Sequence, residues 1–294
     1  MRFGVLILPD AVWSVARERW QSAERMGFDH AWTYDHLTWR SLRDHPWFAA
    51  MPTLVAAALA TSRIRIGTLV ASPIFRHPVT FAKELMTLDD ISDGRVTVGI
   101  GAGGDGFDAT ALRAVPWSRR EKTVRFEEFV SMLDRLLTEP ATSIEGRYYT
   151  ANEARAVPGC RQRPRVPFAI AATGPRSMRV AARHAATWVA SDGRGAGRDL
   201  IGRLRDACVA EGRDPVTLAR LVLVGHRERP LDSVEAFRDV AGRYGEVGFT
   251  DLVVHWPRAE DPFAADRDVL ERIAADVLHH AGMAGEEGFE PSIP

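Results

Sequence analysis

Eight short apolar runs, each followed by a longer amphipathic one, recur along the whole chain. The strand candidates are Phe3–Leu8, His30–Thr33, Ile64–Val70, Val96–Ile100, Val166–Ala171, Thr187–Ala190, Ala219–Val224 and Thr250–His255. Between them lie the helical patterns Trp13–Met26, Pro52–Thr61, Thr80–Ile91, Arg120–Leu137, Ser177–His184, Asp199–Glu211, Ser233–Tyr244 and Asp266–His280. In "FAKELMTLDDIS" and "VRFEEFVSMLDRLL" apolar residues return at three- and four-residue steps, the period of a helix with one buried face. The strand runs are apolar on both parities, as parallel strands covered on both faces require. Eight such units in 294 residues predict an α/β chain of the (β/α)8 TIM-barrel class, whose usual size is about 250 residues. The competing arrangement, an open doubly wound sheet, calls for a glycine fingerprint in the first strand-to-helix turn, and "LILPDAVW" has no glycine.

One segment breaks the rhythm. Residues 138–165, "TEPATSIEGRYYTANEARAVPGCRQRPR", form an insertion between the fourth helix and the fifth strand. A loop this long inside a compact domain is usually a lid or a binding element, and residues 104–118 are the other lid candidate. Asp232-Ser233 and Asp261-Pro262 read as helix starts. A single domain over residues 1–284 is expected, with a flexible tail, "GEEGFEPSIP", at 285–294.

Charge excludes several classes of function. With 38 basic and 39 acidic side chains the net charge is −1, which leaves no electrostatic footprint for nucleic acid. No apolar stretch is long enough to span a bilayer. Cys160 and Cys208 have neither metal-ligand nor disulfide spacing, so a reducing, cytoplasmic setting is expected. No H-x-H or H-E-x-x-H pair is present, and no metal is expected.

In a barrel of this class the active site gathers at the C-terminal ends of the strands. "TYDHLTW" puts Asp35, His36 and Trp39 there. A histidine beside a carboxylate is a ready proton donor or acceptor. Asp is also a common turn residue, and a histidine can be a satisfied bystander. "GTLVASPIFRHP" ends the third strand with Ser72, Arg76 and His77, as though something flat and anionic approached the backbone. "GAGGDGFD" follows the fourth strand, where Gly101 and Gly103 permit close backbone approach or simply a tight turn. In "ATGPRSM", Pro175 can open a helix whose first amides, with the Thr173 and Ser177 hydroxyls and the Arg176 guanidinium, would face an anion. A merely capped helix is the plainer reading. Trp39, Trp256, Trp47 and Phe75 could wall an apolar pocket, although core packing explains most tryptophans.

The chain resembles the luciferase-like monooxygenase superfamily. The resemblance is carried by "RIRIGTLVASPIFRHPVTFAKELMTLDDISDGRVTVGIGAG" (63–103) and "AATGPRSMRVAARHAATWVAS" (171–191), with "IEGRYY" and "FTDLVVHWPR" in support. It implies a (β/α)8 barrel that binds FMN or the deazaflavin coenzyme F420. It also implies a bulge with a cis Leu69–Val70 peptide behind the cofactor ring, with Ala71 and Ser72 beside it. Asp35 would then be a polar cofactor contact, and His36 the group that gives or takes the proton. Trp39 would be the active-site aromatic, here one residue closer to His36 than is usual. Ala102 and Gly103 would meet the ring through their backbone. Thr173, Gly174, Pro175, Arg176, Ser177 and Met178 would hold the cofactor tail, with Arg194, His255 and Trp256 on the substrate side. One departure stands out: the family's sugar-phosphate dehydrogenases carry a catalytic glutamate where this chain has Gly104. Asp105 and Asp108 are nearby, and neither is at the matching position. The expected activity is deazaflavin-dependent hydride transfer with a small organic substrate, with a homodimer as the assembly usual in the family it resembles. The alternatives are an FMN-dependent monooxygenase using reduced flavin and oxygen, and a flavin-binding protein without turnover.

Overall fold

The computed structural model describes residues 1–104, 107–112, 117–192, 196–225 and 227–278. Eight of its strands match the eight expected runs: β1 (Arg2–Leu6), β2 (His30–Thr33), β3 (Arg65–Ala71), β4 (Val96–Gly101), β7 (Phe168–Ala171), β8 (Thr187–Ser191), β9 (Ala219–Leu223) and β10 (Asp251–His255). They are all parallel, and β1 pairs with both β2 and β10, so the sheet has no edge and the open-sheet alternative falls. The helices α1 (Trp13–Arg25), α2 (Ala50–Ala60), α3 (Pro78–Ile91), α5 (Arg119–Thr138), α6 (Pro175–His184), α7 (Arg198–Ala210), α8 (Val234–Val247) and α9 (Arg267–Ile273) surround the sheet. A five-residue helix, α4 (Phe107–Ala111), sits in the loop after β4. No described helix is long and apolar enough to cross a membrane.

Successive residues of a strand point to opposite faces, so each strand feeds two cores. Val5, Ile66, Val98, Ile170, Val222 and Val254 face outward and pack against the helices in the larger core. Leu6, Trp32, Leu69, Val189, Leu221 and Val253 face inward and fill the barrel in a second cluster. Strand β3 departs from this alternation. Its register with β4 shifts between Thr68 and Ala71, so that Leu69 and Val70 both lie with the inner cluster and Ala71 returns to the outer one. The Leu69–Val70 peptide is cis, as the resemblance implies. Strand β4 accommodates the bulge with glycine: a Cβ at Gly99 would lie 2.0 Å from the Thr68 carbonyl oxygen, and one at Gly101 2.7 Å from Val70 Cγ2.

At the opposite, N-terminal end the barrel floor is polar. Trp32 Nε1 donates to His30 Nδ1 (2.7 Å), which leaves the proton of the neutral ring on Nε2, facing Asp251 Oδ1 at 3.1 Å. Arg2 grips the same carboxylate from the rim, and Thr250 donates to it at 2.6 Å. Burial pushes the Asp251 carboxyl up, but the hydrogen bonds from His30, Arg2 and Thr250 outweigh it and hold the group down to about 2. A carboxyl with a depressed native pKa contributes stability that is present above its unfolded pKa and lost as pH falls through the native value. Between about pH 5 and pH 2, wild-type stability is therefore expected to fall by roughly 2–3 kcal/mol more than that of Asp251→Asn. Urea unfolding of both proteins across that window measures the difference.

The insertion is ordered as a hairpin rather than an irregular loop. Residues Ala141–Glu145 (β5) and Thr150–Arg155 (β6) make an antiparallel hairpin against α5. Its turn is fastened by Glu128, which accepts from the Arg147, Tyr148 and Tyr149 backbone amides at 3.2, 2.8 and 2.8 Å. Tyr149 packs edge-on against Phe129 and donates to the Pro73 carbonyl. Ser233 caps α8 as expected, accepting from the Ala236 amide. Asp261-Pro262 does not start a helix; the bond is cis within a loop, and Asp266 caps α9 instead. The expected tail at 285–294 lies outside the described residues.

Candidate active site

Strand β2 carries its inward parity one step further, to Tyr34, and then releases Asp35 and His36 into the loop at the barrel mouth. His36 meets a partner from across the rim. Asp108, on α4, is buried and lies 2.6 Å from His36 Nδ1 through Oδ2. Its other oxygen accepts the Leu37 amide at 2.7 Å and the Thr38 amide at 3.4 Å. A carboxylate oxygen only accepts, so Nδ1 carries the proton of this pair. Trp47 Nε1 donates to the His36 carbonyl at 2.8 Å, which fixes the loop from its far side.

Asp35 is committed within the protein. It is buried against Arg76, with contacts of 2.5 Å to Nε and 2.9 Å to Nη2, and Arg76 reaches on to Glu84 at 2.8 Å. Burial works against the Arg76 charge, yet the Asp35 and Glu84 carboxylates outweigh it and raise the guanidinium's pKa. The cation beyond the third strand, which suggested an approaching anion, is thus already neutralised.

Small residues form a ledge on the β3, β4 and β7 side of the mouth. Val70, Ala102, Gly103, Ala171 and Thr173 are all half-buried there. Gly103 has φ +79°, and a Cβ on it would lie 2.4 Å from Ser72 Oγ. Ser72 itself is buried and accepts the Ile74 amide. Beside the ledge, α6 starts at Pro175 after Gly174, and no side chain caps its first turn. Ser177 Oγ turns back to donate to the Gly174 carbonyl at 3.0 Å. The open amides of that turn and the positive end of the helix dipole suit an anionic tail. The ledge, half-buried and built of small residues, suits a flat ring. These residues fit a flavin or deazaflavin.

Across the mouth stands an aromatic wall. Trp39 stacks on Tyr34 (5.3 Å between centroids), Trp47 (6.1 Å) and Phe263 (5.9 Å). Phe263 also lies flat on His255 at 3.4 Å. His255 Nδ1 faces the Val224 carbonyl, which can only accept, so in the neutral ring Nε2 accepts from the Tyr34 hydroxyl at 2.8 Å.

Of the remaining expected site residues, several are placed elsewhere. The Arg176 guanidinium turns to Glu127 on α5, at 2.6 Å, because it is exposed on the outer face of α6. Met178 is buried in the outer core, one turn into the helix, with its amide already donated to the Gly174 carbonyl. Trp256 is also in the outer core: His255 points inward, so its neighbour must point outward. Arg194 lies outside the described residues. Sequence reasoning missed Tyr34, which the inward parity of Trp32 signals, and Phe263, which nothing signals. Asp108 was noticed, but not as the partner of His36. Among the described residues no cluster of His, Cys, Asp or Glu could hold a metal.

The chain is 30% identical to an F420-dependent glucose-6-phosphate dehydrogenase of Beutenbergia cavernae, over 87% of this chain and 90% of that protein. It is also 30% identical to an F420-dependent hydroxymycolic acid dehydrogenase of Mycobacterium tuberculosis, over 88% of this chain and 77% of the relative. The fold is shared with an F420-dependent secondary alcohol dehydrogenase solved with an F420–acetone adduct (TM-score 0.78, 17% identity, 92% of this chain and 97% of that one). It is shared as well with the coenzyme F420-dependent tetrahydromethanopterin reductase of Methanopyrus kandleri (TM-score 0.77, 18% identity, 95% and 99%). The profile of the luciferase-like monooxygenases matches residues 1–276, and the chain belongs to that family.

Proposed function

We propose that this protein is an F420-dependent oxidoreductase that moves hydride between the deazaflavin and a small, largely apolar substrate bearing a hydroxyl or carbonyl group. The observation that carries the reading is the small-residue ledge lying at the same barrel mouth as the His36–Asp108 pair. The ring, when bound, supplies the hydride acceptor or donor. The backbone of Ala102 and Gly103 and the half-buried face of Val70 would bear its flat side, and the amides at the start of α6 would hold its charged tail. His36 takes the substrate's hydroxyl proton or returns it. Tyr34, Trp39 and Phe263 exclude water from the substrate and orient its apolar part. Leu37, Phe48 and Leu112, exposed in the loops that precede α2 and follow β4, extend the apolar character outward. Arg76 is occupied by Asp35 and Glu84, and Gly104 stands where sugar-phosphate dehydrogenases carry glutamate. Both points favour an apolar substrate over a sugar phosphate.

Fluorescence titration of the purified protein with F420 and with FMN tests the cofactor. Binding of F420 is expected to be at least tenfold tighter, a preference of about 1.4 kcal/mol. The reduced complex is expected to leave dissolved oxygen unconsumed. Tighter FMN binding with oxygen uptake would instead support a monooxygenase.

A further inference from the structure

The position of Asp108 is unusual for a surface loop: a five-residue helix exists there with one buried residue, and that residue is the carboxylate facing His36. We infer that Asp108 is the positioning residue that sets the tautomer of His36, leaving Nε2 as the atom that exchanges the substrate proton; this rests on the proposed role of His36 in proton transfer. Three observations carry it. The Nδ1···Oδ2 distance of 2.6 Å is that of a strong, charge-assisted bond. The second oxygen is tied to the Leu37 and Thr38 amides, the two residues that follow His36, so carboxylate and imidazole are held in one frame. Asp108 is buried, with a relative exposure of 4%, whereas the His36 side chain remains 29% exposed at the mouth. One partner is shielded and the other is accessible, which is the division that an orienting group and a proton-exchanging group require.

In substrate oxidation the carbinol C–H bond breaks, and its electron pair leaves with the hydrogen as hydride to the deazaflavin. The O–H bond breaks, its proton goes to His36 Nε2, and the second C–O bond forms. The imidazolium so made faces the Asp108 carboxylate through Nδ1–H. The reverse step returns the same proton to the carbonyl oxygen. With the opposite tautomer, Nε2 carries a hydrogen beforehand and cannot accept.

A purely structural staple between the two loops is the competing role, and Asp108→Asn separates them. Asparagine keeps an oxygen for the Leu37 and Thr38 amides but can turn its NH2 toward Nδ1, which must then accept and leave the proton on Nε2. The test uses the full chain with 15N-labelled histidine, the His36 signals being assigned by their loss in His36→Gln. Wild type is expected to show the Nδ1–H tautomer and Asp108→Asn the Nε2–H tautomer. The same variant is expected to lose at least about 100-fold in kcat, with KM and F420 affinity within about threefold. Asp108→Glu, which restores a carboxylate, is expected to recover at least about a tenth of wild-type kcat. An unchanged tautomer in Asp108→Asn, or a switched tautomer with kcat within threefold of wild type, would overturn the assignment. If the wild-type protein shows no F420 turnover, the cofactor reading fails. The tautomer comparison, made without cofactor, then still upholds or overturns Asp108 as the residue that orients the ring.

Discussion

Ala171→Trp is expected to bind F420 at least about 100-fold more weakly than wild type, a loss of about 2.7 kcal/mol, while remaining folded. Ala171 ends β7, half-buried, with its Cβ near the position where one on Gly101 would stand (3.6 Å). Its face of the strand is the inner one, shared with Ala169, and it packs at the edge of the inner cluster beside Val70. An indole added there leaves the outer core untouched, because the outward-facing neighbours Ile170 and Ala172 carry the helix contacts. It must instead lie across the ledge, in the place proposed for the ring. Fluorescence titration measures the affinity, and a thermal melt within a few degrees of wild type establishes the fold. Full affinity in a well-folded variant would place the ring elsewhere.

His36→Ala is expected to lower kcat by about 10²–10⁴-fold, the usual contribution of a positioned acid or base, with F420 affinity within about threefold. The separation follows from the layout of the mouth. His36 sits in the β2 loop with Asp108, whereas the ledge is built from the ends of β3, β4 and β7. Removing an imidazole that is partly exposed and bonded to a carboxylate on another loop leaves the ledge intact. Steady-state turnover with a panel of secondary alcohols and ketones, together with cofactor titration, reads the two quantities independently. Equal turnover in His36→Ala would leave another proton donor, with the Tyr34 hydroxyl, bonded to His255, the first to examine.

The barrel was legible because parallel strands buried on both faces leave a simple trace, and all eight appear within a few residues of their expected positions. The β3 bulge and the α6 start were legible for another reason: glycine, proline and small residues at strand ends have few uses, and the resemblance singled out the same positions. Charges were harder to place. Asp35, Arg76 and Arg176 all sit near the mouth in sequence, but each found a protein partner that only the fold brings close: Asp35 and Arg76 meet across 41 positions, Arg176 and Glu127 across 49. The His36–Asp108 pair spans 72 positions, and no local pattern announces it. Trp256 is a different kind of error, since period two alone, counted from an inward His255, would have sent it outward.

The rim of the cylinder is divided between two neighbourhoods. Backbone and small residues after the third, fourth and seventh strands make one; bulky rings carried on the segments after the second and tenth make the other. A lineage built this way can rewrite the second neighbourhood through two connecting segments while the small-residue ledge stays untouched. Chimeras that graft residues 37–49 or 256–266 from a relative are therefore the economical route to new chemistry on this scaffold.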